Sequence, residues 1–188
     1  MRDPLAEALA FIDAYGAPRN DAEPDSFDEV DLREANRGGA RISAVEQAAI
    51  LERRAEIERA LRAIPPTASL MSPPGSVPWP PLLRVLGSFA GIRGVGLAKT
   101  TNALHPKRPA LVPMLDSVVQ QYLGAGRETR SAERFAERAI ELVRIYKSDL
   151  DRNAHVLREL KRELADRGYG LTEVRILDVL IWSTRSAA

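Results

Sequence analysis

Cysteine is absent from the 188 residues. Disulfides and thiolate-held metal clusters are thereby excluded, and the composition is compatible with a reducing compartment without demanding one. Histidine is almost as scarce. His105 and His155 are the only two, 50 residues apart and without an acidic partner at ligand spacing, which argues against a metal site and a histidine-dependent triad. No run approaches the roughly 18 apolar residues of a membrane span. The opening stretch, MRDPLAEALAFIDAYG, puts Asp3 and Glu7 where a signal peptide needs an apolar core. The expectation is a soluble cytoplasmic protein with no membrane partner. Sustained period-two alternation is missing, as is the phosphate loop of nucleotide hydrolases, and Ser72 and Ser76 have no nucleophile-elbow context.

Apolar residues recur at helical spacing wherever a pattern can be read, so the expected fold is all-α, a single helical domain over residues 1–188. Asp3 and Pro4 open a first helix with Leu5, Leu9 and Ile12 on one face, and Gly16 with Pro18 stop it. FDEVDLREANRGGARI predicts a short helix ended by Gly38 and Gly39. Ser43 with Glu46 forms a capping box at the head of one helix running to Pro65, with Ile50, Ile57, Leu61 and Ile64 on its buried face. Residues 64–81 contain seven of the thirteen prolines and read as a stiff extended connector with Trp79 tucked into the core. Residues 130–184 supply packing helices: one over Phe135, Ala139, Leu142, Val143, Tyr146 and Leu150, a second over Val156, Leu157, Leu160 and Leu164 stopped by Gly168 and Gly170, and a third capped by Thr172 with Leu171 and Ile176 spaced as a hydrophobic staple.

Charge is unevenly distributed despite a net of +1. Residues 1–60 carry 8 basic and 14 acidic groups, net −6, whereas residues 91–127 carry Arg93, Lys99, Lys107, Arg108 and Arg127 against Asp116 alone, net +4. A local basic excess suits a polyanion. It coincides with GIRGVGLAKTTNALHPKRPALVPMLDSVV, residues 91–119. PLLRVLGSFAGI reads as a helix entering this stretch and LAKTTNAL as one leaving it, with IRGVG as a tight hairpin between them. Gly94 and Gly96 are able to take positive φ and leave backbone N–H groups bare at a helix N-terminus, a setting that suits phosphate, with Lys99, Lys107 and Arg108 flanking it. Asp116, before Ser-Val-Val, also makes a good N-cap.

The run GIRGVG, the helix ending at Leu104, the basic turn and then PMLDSVVQQYL together resemble the helix-hairpin-helix of the DNA glycosylase superfamily, over residues 83–123. Gly96 and Asp116 stand 20 residues apart, the kind of spacing that family uses. The resemblance implies that Gly94, Val95 and Gly96 grip a DNA phosphate through N–H groups, with Arg93, Lys99, Lys107 and Arg108 as further DNA contacts and a monovalent cation possible at the hairpin carbonyls; no other cofactor is implied. It makes Asp116 the match for the aspartate that stabilises the sugar cation or directs water when a flipped base is released. The nucleophilic lysine of bifunctional members falls on Ala98, so lyase chemistry is not expected. The leading expectation is duplex DNA binding through the phosphate backbone. The alternatives are a lysine-independent glycosylase acting through Asp116, and a protein-interaction module whose acidic N-terminal third meets a basic partner.

Overall fold

The computed structural model describes residues 3–15, 23–125 and 134–185. The fold is all-α, with no strand among these residues. In chain order the helices are α1 (Pro4–Tyr15), α2 (Glu29–Arg37), α3 (Ala44–Leu51), α4 (Arg54–Arg62), α5 (Trp79–Gly87), α6 (Leu97–Leu104), α7 (Ser117–Tyr122), α8 (Phe135–Arg152), α9 (Ala154–Asp166) and α10 (Glu173–Arg185). Residues 16–22 and 126–133 lie outside the description, and with them the expected stop at Gly16 and Pro18 and the cation Arg127.

Local chemistry fixes most starts. Asp3 Oδ1 accepts the Leu5 N–H at 3.0 Å ahead of α1. Asp28 caps α2 by accepting the Val30 N–H, and Asp31 reaches back to the Asp28 N–H at 2.9 Å. Ser43 and Glu46 form their capping box at the head of α3. The Arg175 N–H donates to Thr172 Oγ1 at 3.1 Å, and Leu171 and Ile176 of the staple are both buried. Caps of this kind are worth about 1 kcal/mol each; they set boundaries, while burial stabilises the assembly.

One long helix was expected from Ser43 to Pro65, and there are two. At Glu52 and Arg53 the chain tightens so that the Arg53 N–H bonds to Ile50 O, and the Arg53 guanidinium reaches sideways to the carbonyls of Ser88 and Ala90 at 3.2 and 2.7 Å. Those are orphan acceptors just past the end of α5, a tertiary demand that the apolar pattern does not encode. Ile50, Ile57, Leu61 and Ile64 are nevertheless all buried. The connector also differs from a uniformly extended crossing. It contains a single 3-10 turn at Pro74–Ser76, and its last residues, Trp79 to Pro81, form the first turn of α5, where proline costs no hydrogen bond. Trp79 packs at the edge of the core, its Nε1 donating to Pro74 O at 3.2 Å and the Arg144 guanidinium lying 5.2 Å above its ring.

The helices pack in two groups. α2 lies on α6 and α4 on α5; α1, α7 and α9 surround α10; and α5 against α8 joins the groups. A continuous apolar core runs through both. Phe27, ahead of α2, meets Phe89, after α5, edge to face at 6.0 Å, which ties the N-terminal segment to the glycine-rich link between α5 and α6. Each such fully buried side chain contributes about 1.5–3 kcal/mol.

Candidate nucleic-acid interface and the charges behind it

α5 ends at Gly87, five residues short of Ile92, where the helix was expected to end, and the Arg53 guanidinium takes the Ser88 and Ala90 carbonyls that follow it. The link to α6 is therefore Ser88–Gly96. Gly94 takes φ +83°, as expected for one of the two glycines, and a Cβ there would also collide with the Glu46 carboxylate. Gly96 differs from expectation. It is extended at φ −100° and serves as the N-cap of α6, and since glycine has no side chain, the N-terminus of α6 is left open. Arg93, Gly94 and Gly96 are exposed, whereas Val95 is buried and anchors the turn. Arg93 makes no hydrogen bond or ion pair with a described residue.

Lys99 stands one turn into α6, and Glu46 holds it. Both Glu46 oxygens lie 2.6 Å from Lys99 Nζ, and Oε2 also accepts the Ser43 N–H at 2.7 Å. The Lys99 ammonium first, and that N–H second, hold the Glu46 carboxyl below the usual range. An internal carboxylate thus lies on the lysine beside the exposed glycines.

The expectation that Lys107 and Arg108 flank a phosphate requires correction. Both are buried. Lys107 Nζ is 2.6 Å from Asp31 Oδ1 and donates to Glu23 O at 2.8 Å. Arg108, with no exposed side-chain surface, donates to the carbonyls of Pro24, Leu61, Ile64 and Lys107 and to Asp25 Oδ1 at 2.8 Å. The HPKRP turn faces inward because α2 and the segment before it need those donors. The opposite charges of the two sequence regions are therefore largely matched within the chain: residues 23–46 supply acceptors to Lys99, Lys107 and Arg108, and leave Arg93 outward.

Asp116 caps α7. Its Oδ1 accepts from Val118 N and Val119 N at 2.9 Å each, and its Oδ2 accepts from Trp182 Nε1 at 2.8 Å. Behind it lies a buried polar group that sequence reasoning missed. The Arg175 guanidinium sits 4.8 Å from the Trp182 ring centroid and donates through Nη1 to Met114 Sδ. Its Nε is buried without a partner among the described residues. Asp178, fully buried, accepts the Met114 N–H on Oδ2 at 3.2 Å, and its Oδ1 lies 2.9 Å from the Tyr146 hydroxyl. Burial pushes Asp178 up to about 7 against the opposing pull of Arg175 and Tyr146. Burial likewise pushes His105 down to about 4, assisted by Arg175, so the ring is neutral at pH 7 and its Nδ1–H donates to Val112 O at 2.7 Å. One signal for this group was present in the sequence: an aspartate inside ILDVLIW is a carboxylate on an apolar helix. Arg41 was also missed. It is exposed at φ 55°, in the turn before α3, with the Asn36 side chain clasping Ile42 N–H and C=O beside it.

No cluster of three or more potential metal ligands occurs among the described residues, and no described helix is long and apolar enough to cross a membrane. What the geometry defines is an all-α domain with a glycine-rich turn open to solvent and its flanking lysine already paired. The chain belongs to DUF6308, a family of unknown function, whose model matches residues 8–185, from within α1 to the end of α10. No curated protein and no solved structure matches it.

Proposed function

We propose that this protein binds duplex DNA through the phosphate backbone, using α5, the 88–96 link and α6 as a helix-hairpin-helix element. The observation that carries the reading is the exposed run Arg93–Gly94–Gly96 at the uncapped N-terminus of α6. The uncapped N–H groups and dipole at the head of α6 suit a phosphate, and the exposed Arg93 beside them has no ion pair among the described residues. Arg93 and, once drawn from Glu46, Lys99 supply the charge. Val95 holds the turn, and Lys107 and Arg108, bound inward to residues 23–31 and the end of α4, do not touch DNA. Asp116 is a structural cap in this reading, since its oxygens are taken by two N–H groups of α7 and by Trp182.

With two cations in place of four, binding is non-specific and weak, toward about 10⁻⁴ M at physiological salt, with a slope of log K against log salt of roughly −2. Fluorescence anisotropy on a labelled duplex at several salt concentrations measures both. Arg93→Ala should lower the slope by about 1. Affinity indifferent to salt and to Arg93→Ala, or no binding at low salt, would refute the reading.

A further inference from the structure

The Tyr146 hydroxyl has one proton and two acceptors in reach, Val174 O at 2.7 Å and Asp178 Oδ1 at 2.9 Å. If Asp178 were a carboxylate, one of these close oxygen pairs would lack a hydrogen. If Asp178 carries a proton on Oδ1, the chain closes: Asp178 donates to Tyr146, Tyr146 donates to Val174 O, and Oδ2 keeps the Met114 N–H. The helix adds a second observation. Arg175 and Asp178 are three apart on α10, a spacing at which an arginine and an ionised aspartate pair readily. They form no ion pair, and Arg175 lies on Trp182 and Met114 with its Nε unsatisfied.

We propose that Asp178 and Arg175 form a proton-gated pair: protonated Asp178 binds Tyr146 and leaves Arg175 on Trp182, and loss of that proton to solvent draws Arg175 off the indole onto the carboxylate. The change reaches the N-cap of α7, because the same indole donates to Asp116. The charged and titratable groups around Asp178 are few. Arg175 lies on α10 itself, Tyr146 on α8 is raised well above 10, and Asp116 stands at the head of α7. His105 is neutral down to about 4. On α9, Lys161 is bound to Glu173, the first residue of α10 and two before Arg175, and α1 carries Glu7 and Asp13, neither of them buried. Among these groups Asp178, pushed up to about 7, is the one that changes charge near neutrality.

The chain has two tryptophans, so Trp79→Phe leaves Trp182 as the sole indole reporter. Its emission, followed between about pH 5.5 and 8.5, should show a one-proton transition while far-ultraviolet circular dichroism stays constant. Asp178→Asn in the same background should hold the acid-side spectrum throughout, because the amide donates to Tyr146 as the protonated acid does. Absence of a transition, a transition that persists in Asp178→Asn, or loss of helicity at the same midpoint would each overturn the proposal.

Discussion

The turn at Lys107 and Arg108 and the contact of α8 with α10 both bury ionisable groups, and they do so by opposite means. Around Arg108 the charge is kept and surrounded: carbonyls and Asp25 accept from every guanidinium nitrogen. Around Asp178 the donors are few and one hydroxyl must serve two oxygens, so the carboxyl is pushed up to about 7 and holds its charge only above that. Burial alone therefore does not decide ionisation. The number of complementary groups does, and a guanidinium with five donors is far easier to satisfy from helix-end carbonyls than a carboxylate is from helix interiors whose N–H groups are already bonded.

The sharpest way to break the first arrangement is Arg108→Leu, which leaves the Pro24, Leu61 and Ile64 carbonyls without that donor. A loss of about 3–5 kcal/mol is expected, read from the urea midpoint. The second arrangement is tested by pH. The native Asp178 pKa, about 7, exceeds the ordinary 3.8, so the folded state holds a proton that the unfolded state releases. Its contribution is fully present below about 3.8 and is lost as pH rises through about 7. Asp178→Asn should gain stability relative to the parent across that window, by on the order of 4 kcal/mol at most, measured as the difference between paired urea titrations. A difference that is flat with pH would mean that Asp178 is ionised throughout.

Two smaller effects refine the contrast. Asp31→Asn leaves the Lys107 ammonium buried with Glu23 O, whereas Lys107→Met removes the charge. The first should cost roughly 2–3 kcal/mol and the second about 1 kcal/mol or less, by thermal melts. Glu46→Gln preserves a capping-box side chain but frees Lys99. Duplex affinity at low salt should rise about two- to threefold with little change in melting temperature, and an unchanged affinity would show that Lys99 stays away from DNA.

How much of this was legible follows from the range of each interaction. The starts of α1, α3, α7 and α10 could be read because a cap and its N–H partner lie within three residues. The inward course of Lys107 and Arg108 could not, since HPKRP has the composition of a surface turn and its acceptors, the Lys107 carbonyl apart, stand some 44 to 84 residues away. The division of α3 from α4 was hidden for the same reason, because Arg53 answers carbonyls 35 and 37 residues on. At the candidate interface Arg93, Gly94 and Gly96 lie exposed on one link, but the presence of Glu46 beside Gly94 was not legible, because a capping glutamate looks the same whether or not it meets a lysine from another helix.

The clasp of residues 23–31 on the 107–108 turn has a consequence for vectorial synthesis. Lys107 is translated 84 residues after Glu23, whose carbonyl it binds. At 5–20 residues per second that is a wait of about 4–17 s. Throughout it Asp25 and Asp31 are exposed without the cations they will hold, and α2 has no α6 to lie on. Residues 23–31 are thus late joiners although they are made before the turn they clasp, and a ribosome pausing before the Lys107 codon would present them to chaperones as an acidic, unfolded stretch.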